Sequence, residues 1–171
     1  MAPQVTITTV DSFTGKLAVV TGGGSGIGRE LVRQLAAQGC SVATCDLNPD
    51  SVAVTAATAW AAAPAGVAVT GHRCDVSDES QVQRFRDELL ARHATDHVDL
   101  VFSNAAIGGG GSARALLPLL MASGDGVLVD TSSLDAAKAI APDGLLSPAG
   151  AAAIILDGVR WGAWRTTPAC Q

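Results

Sequence analysis

Three glycines near the start of this chain are spaced for handling a phosphate. In KLAVVTGGGSGIGRELVRQLAAQG, Gly22, Gly26 and Gly28 follow the pattern TGxxxGxG, set between a valine-rich apolar run and a stretch with helical periodicity. Glycine is needed where a turn takes positive φ or where backbone must approach a diphosphate, and the next helix offers unpaired N–H groups to the anion. Ser25 and Ile27 belong to the same loop, and it is Ser25, not a basic residue, that stands immediately before Gly26. Asp46 stands 18 positions beyond Gly28, at the end of the next apolar run, with Leu47 after it. A carboxylate there can accept hydrogen bonds from adenosine ribose hydroxyls and repel a 2′-phosphate, which points to NAD as the cofactor. The bland alternative is a solvated turn aspartate ahead of Asn48-Pro49.

These residues need strands to end beside one another. Apolar runs alternate with helical patterns, the arrangement of β-α units that build a parallel sheet. Strands are expected near Leu17 to Thr21, Ser41 to Asp46, Ala68 to Cys74, Val98 to Ser103 and Gly126 to Thr131. Helices are expected near Gly26 to Gln38, Asp50 to Ala62, Glu79 to His93 and Ala113 to Ala122, with a further apolar helix in AGAAAIILDGV. Ser77 or Asp78 can cap the third helix, which carries Val82, Phe85, Leu89 and Leu90 on one face. The stretch SSLDAAKAIAPDGLLSP reads as a loop.

Three motifs together resemble the short-chain dehydrogenase/reductase family. TGGGSGIG is similar to the family's cofactor motif, CDVSD at Cys74 to Asp78 to its adenine-contacting segment, and SNAAIG at Ser103 to Gly108 to its NAG motif. The resemblance runs from about Phe13 to Ser133. It implies that Asp75 bonds the adenine amino group, that Val76 flanks the ring, and that Asn104, Ala105 and Ala106 lie beneath the cofactor. Ser133, or less favourably Ser132, takes the position of the catalytic serine. The fold implied is an α/β three-layer Rossmann-type doubly wound parallel sheet of about five strands, ordered 3-2-1-4-5.

The chain departs from the family in three places. The family transfers a proton through a tyrosine whose pKa a lysine lowers, and this sequence has no tyrosine. The best match to the family's YxxxK helix is Ser147 to Ala151, where a serine without an adjacent base and an uncharged alanine cannot do those jobs. Asn104 and Ser133 are only 29 positions apart, bridged by the Gly108 to Gly111 tract, so the family's asparagine-bearing helix is expected to be absent. The sequence also stops where the family's last strand and substrate lid would begin, as in a truncated or degenerate member.

Lys138, five positions after Ser133, is a candidate substitute base, though a lone loop lysine is more often a solvated charge. Asp130, Asp135 and Asp143 are weaker carboxylate candidates of the same kind. His72, His93 and His97 are too dispersed for a metal site and read as structural. Trp161 and Trp164, three apart, read as core or interface anchors.

Composition bounds the rest. The 171 residues suit one domain, with residues 1–12 as a loose start and 134–171 as a shortened substrate region. Hydrophobic residues make up 48% and charged residues 16%, the formal net charge is −5, and the basic residues are scattered, so nucleic acid and anionic membrane are poor partners. Four cysteines without a CxxC pair suit a reducing cytoplasm, and the opening residues lack a signal-peptide layout. An uncovered edge beside the fifth strand favours a homodimer or larger assembly. The leading expectation is an NAD-binding oxidoreductase acting on a small carbonyl or alcohol. A catalytically inactive cofactor-binding subunit and a non-redox enzyme, doing dehydration or cyclisation, are the alternatives.

Overall fold

The structure is a computed structural model that describes residues 10–105, 111–131 and 147–161, without the side chains of 111–113 and 161. Five parallel strands form one sheet: β1 (Leu17–Thr21), β2 (Ser41–Asp46), β3 (Val69–Arg73), β4 (Leu100–Ser103) and β5 (Val127–Asp130), in the order β3-β2-β1-β4-β5. Between them run α1 (Gly26–Ala37), α2 (Pro49–Ala62), α3 (Glu79–His93) and α4 (Gly111–Ala122), and α5 (Pro148–Trp161) follows β5.

β1 is buried on both faces along its whole length, which is why it reads as an unbroken apolar run instead of an alternating one. Its even residues Ala18 and Val20 join Val42, Leu100 and Phe102 beneath α1, α2 and α5, where Leu31, Leu35, Ala59 and Leu156 complete the layer. Its odd residues Leu17 and Val19 face the other way with Ala43, Cys45 and Val101, under Phe85 and Leu89 of α3 and Leu116 of α4. Both faces of the sheet are therefore covered, as the doubly wound arrangement requires.

Local chemistry sets the helix starts. Asn48 accepts from the Asp50 and Ser51 amides and Pro49 opens α2, so that helix begins one residue before the expected start. Asp78 accepts from the Ser80 and Gln81 amides at the head of α3, and the Ser80 hydroxyl and Gln81 side-chain amide, which also donate to it, do most to hold its carboxyl down at about 2. The helix expected at Ala113 to Ala122 between β4 and β5 forms as α4 and begins two residues earlier, at Gly111, with leucine and alanine supplying the helix propensity that the glycine tract lacks. β5 alternates half-buried and exposed residues and pairs only with β4 among the described residues; Leu128 is exposed, as are Leu117 and Met121 of α4.

A polar chain is folded between β3 and α3. His72 donates through Nδ1 to Glu88 at 2.8 Å, accepts at Nε2 from Thr70 at 3.0 Å, and Thr70 accepts in turn from His93 Nε2 at 2.9 Å, in the arrangement that leaves both rings neutral. Burial lowers the pKa of His72 against the opposing pull of Glu88, and burial, with His72 and Arg92 nearby, lowers that of His93. The unfolded chain takes up these protons near pH 6.5, before the fold does. Stability should hold above that pH and fall below it, by up to about 1.4 kcal/mol per pH unit for each histidine. Urea unfolding across this range checks the sign, with a shallower slope expected for His93→Gln; a fold that strengthens on acidification would contradict it.

Candidate dinucleotide site

The glycine-rich loop is fastened to β2 before it reaches α1. Gly22 turns the chain off β1 at φ +70, the Gly23 amide donates to Cys45 O at 3.1 Å, and the Gly24 amide donates to Asp46 Oδ2 at 2.8 Å. No side chain fits at these positions: a Cβ on Gly23 would lie 1.9 Å from Thr44 Oγ1, and one on Gly24 2.7 Å from the Asp46 carboxyl carbon. A Cβ on Gly28 would lie 2.1 Å from Gly22 O and 2.6 Å from Asn104 Nδ2, so this glycine lets α1 press against the turn. Gly28→Ala gains about 1 kcal/mol of helix propensity. Overpacking costs about 1–3 kcal/mol even where neighbours can yield, and here the neighbour is backbone, so the variant should unfold at lower temperature than the wild type.

The result is a helix start that nothing among the described residues covers. Ser25 precedes α1 in extended geometry without a side-chain cap, and the first turn of α1 carries no acid, whereas α2 and α3 each have a capping side chain and an acid there. A Cβ added to Gly26, at φ +55, would meet nothing within 4 Å. Unpaired N–H groups and the positive end of the helix dipole face open space at this point, the arrangement that attracts a phosphate.

A cavity of about 260 Å³ lies alongside, lined by Gly22, Ser25, Asp46, Leu47, Cys74, Asp75, Val76, Asn104 and Ala105. Eight of these are residues singled out by the sequence; Cys74 is the addition. They come together because β1, β2 and β4 end here, with the turn after β3, and ligands of such sheets bind at the carboxyl ends of the strands. Ile27 packs against the core beneath α1, and Gly28 sits behind the turn, so both support the site from behind its wall. Ala106, Ser132, Ser133, Asp135, Lys138, Asp143 and Trp164 lie outside the described residues.

Asp46 has two tasks. Its Oδ2 holds Gly24 and its Oδ1 accepts from the Asn48 amide at 3.0 Å, so the carboxylate braces both the loop and the start of α2. Each carboxylate oxygen has room for a second donor, which leaves acceptor capacity toward the cavity. Asp75 Oδ1 accepts from the Ser77 hydroxyl at 2.6 Å and the Ser77 amide at 2.9 Å, and these bonds lower its pKa.

Two threonines that sequence reasoning passed over fix the opposite wall. The Thr21 hydroxyl accepts from the Asn104 and Ala105 amides at 3.0 and 3.2 Å, while Thr131 donates to Asn104 Oδ1 at 2.9 Å. Asn104 Nδ2 reaches Thr21 O and Gly22 O, so this one amide ties together the ends of β1, β4 and β5. Arg29 bonds Gly24 O and Thr55 Oγ1, joining the loop to α2.

Ser147 is a helix cap. Its Oγ accepts from the Gly150 amide at 3.1 Å at the head of α5, and Ala151 is half-buried one turn later. Asp130 ends β5 and is exposed. Among the described residues no helix is long and apolar enough to cross a membrane.

Comparison with known proteins agrees with this geometry. Residues 16–116 match the family described as short chain dehydrogenase. The chain is 41% identical over 98 residues to the 2,5-dichloro-2,5-cyclohexadiene-1,4-diol dehydrogenase of Sphingobium indicum, covering 57% of this chain and 36% of that protein. Its fold is similar to a short chain dehydrogenase/reductase from Burkholderia phymatum in complex with NAD, at TM-score 0.64 and 26% identity, covering 87% of this chain and 59% of that one. An alcohol dehydrogenase from the archaeon Thermococcus sibiricus, complexed with 5-hydroxy-NADP, gives TM-score 0.62 and 26% identity over 86% of this chain and 66% of that one. The chain spans about half or less of the length of such curated relatives, 36% of the Sphingobium indicum protein and 52% of the putative oxidoreductase SadH of Mycobacterium tuberculosis, to which it is 34% identical over 148 residues. Three motifs at the ends of β1, β3 and β4, one open helix start and a family match across all of them lead to one assignment: the chain belongs to the short-chain dehydrogenase family.

Proposed function

We propose that the cavity binds NAD(H), and that the chain is an oxidoreductase of its family acting on a small carbonyl or alcohol with a weakened proton-transfer apparatus. The observation that carries the reading is the uncapped, acid-free start of α1, opening on space beside a cavity that Asp46, Asp75 and Asn104 line. In this reading the α1 amides hold the diphosphate, Asp46 the adenosine ribose, Asp75 and Val76 the adenine, and the Thr21–Asn104–Thr131 bonds keep the nicotinamide end rigid. The dinucleotide, when bound, supplies hydride exchange with a carbonyl carbon. Ser133 polarises the carbonyl oxygen, and Lys138 is the nearest candidate proton source in sequence. A cytoplasmic location and self-association across the β5 edge, with Leu117, Met121 and Leu128 exposed there, belong to the same proposal.

A second reading has its own support. Ser147 is used as a helix cap and Ala151 has no charge, which favours a cofactor-binding subunit without turnover. Fluorescence titration with NADH tests what both readings share. Gly26→Val is the sharper variant, because its side chain points into open space and strains only the backbone at φ +55, whereas a Cβ on Gly22, at φ +70, would also lie 3.1 Å from Ala105 Cα. Binding should be lost while circular dichroism stays near wild type, and normal binding by the variant would make the loop a mere turn.

A further inference from the structure

We propose that Cys45 and Cys74 form a hydroperoxide-sensitive dithiol in the floor of the cavity, and that their disulfide closes the end lined by Asp75 and Val76. The location of the chemistry rests on packing alone; what closure does rests on the dinucleotide reading.

Cys45 is the next-to-last residue of β2, and Cys74 follows the last residue of β3, its amide bonded to Asp46 O at 3.0 Å. Both side chains project to the same face of the sheet, into the layer shared by Val19, Ala43 and Phe85. The two thiols act on each other: the neighbouring Cys45 lowers the pKa of Cys74, while Cys74 and burial raise that of Cys45. Cys74 also forms part of the cavity wall, although only 2% of its surface is exposed. A small hydroperoxide can reach it through the cavity, and a bound dinucleotide would cover it. The pair is therefore ordered: the sulfur with more thiolate character is the one on the open side.

The chemistry balances in two steps. The Cys74 thiolate attacks one oxygen of the hydroperoxide, so that an S–O bond forms, the O–O bond breaks, and the departing oxygen leaves as water or an alcohol with the proton Cys74 gave up. The Cys45 sulfur then attacks the Cys74 sulfenic acid, forming the S–S bond and releasing hydroxide, which leaves as water with the Cys45 proton. Two electrons pass from the thiols to the hydroperoxide.

Register explains why the product should disturb the site. Cys45 pairs with His72, so Cys74 lies two residues further along the neighbouring strand. A disulfide holds its Cα atoms about 4.4–6.8 Å apart. Two residues of strand rise amount to about 6.6 Å along the strand on top of about 4.8 Å between strands. Bridging must draw the Cys74 backbone toward β2, and Asp75 and Val76 follow it directly. Cys40 offers a contrast: it packs in the opposite layer, bonds Lys16 O and Ser41 O, and burial pushes its thiol up to about 12, which keeps it unreactive.

The test treats the reduced full chain with hydrogen peroxide, maps the cysteines by mass spectrometry of peptides, and titrates NADH before and after. A Cys45–Cys74 link is expected, with NADH binding weakened about tenfold or more and restored by dithiothreitol. Saturating NADH should slow formation of the link, by linkage. Cys45→Ser should stop at a sulfenic acid on Cys74 that dimedone traps, a readout that does not need the variant to match wild-type stability. Peroxide treatment that leaves the two cysteines unlinked, or a linked chain that binds NADH as before, would overturn the proposal. The link is scored without cofactor, so failure of the reduced chain to bind NADH would strike the dinucleotide reading and leave the mapped linkage to judge the dithiol.

Discussion

Carbonyl reduction by this chain should run about 10²- to 10⁴-fold slower than in a relative that keeps the family's tyrosine and lysine, the range general acid–base assistance contributes. In the proposed reading, the stretch of this sequence most similar to that pair offers only Ser147, whose hydroxyl caps α5, and the uncharged Ala151. The cap already uses the Ser147 oxygen as an acceptor, and its hydroxyl is far too weak an acid to protonate an alkoxide efficiently near neutral pH. NADH oxidation against a broad panel of carbonyls, for wild type, Ser133→Ala and Lys138→Ala, measures this. Residual turnover should depend on Ser133. Turnover in the usual range of about 1–10³ s⁻¹ would show that another group has taken over proton transfer. Loss of such turnover in Lys138→Ala alone would make the loop lysine the catalytic group.

NADPH should bind at least about tenfold more weakly than NADH, a difference of about 1.4 kcal/mol. The Asp46 carboxylate cannot swing aside for a 2′-phosphate, because its oxygens are held by the Gly24 and Asn48 amides on two different elements. The nearby guanidinium of Arg29 is engaged by Gly24 O and Thr55 Oγ1 and is committed to holding the loop. Asp46→Asn should therefore weaken NADH and narrow the gap between the two cofactors, since the like-charge repulsion disappears, although the amide, with a single acceptor oxygen, keeps only one of the two bracing bonds. Titration of both reduced cofactors against both proteins checks it. Equal affinities in the wild type, or tighter NADPH, would remove Asp46 from the ribose site.

The sheet was legible because its strands are. An unbroken apolar β1 and glycines at fixed offsets leave few ways to fold, and helix boundaries followed from Asn48-Pro49 and Asp78 to within a residue or two. Of the nine wall residues, Gly22, Ser25, Asp46 and Leu47 were legible from the glycine spacing and the end of the next strand, and Asp75, Val76, Asn104 and Ala105 only through the family resemblance. Cys74 escaped notice because it came as the first letter of CDVSD, and nothing in one strand's sequence reveals that its neighbour carries Cys45 on the same face. Thr21 and Thr131 were missed because a threonine at a strand end has no distinctive spacing, and its role emerges only when β1, β4 and β5 stand in register around Asn104. The second task of Asp46 was likewise invisible, because it depends on a loop 22 residues earlier folding back onto β2. α4 was legible in its leucines and alanines, which outweigh the glycine tract at its start, so that the helix begins two residues before the expected Ala113.

The central claim is that a dinucleotide occupies the cavity at the carboxyl ends of the strands with its diphosphate over the start of α1. The most direct measurement is a crystal structure of the chain soaked with NADH. The account predicts the diphosphate against the amides at Gly26 and Ile27, a ribose hydroxyl on Asp46 and the adenine beside Asp75 and Val76. NADH bound elsewhere, or a cavity that stays empty at saturating NADH, would contradict it.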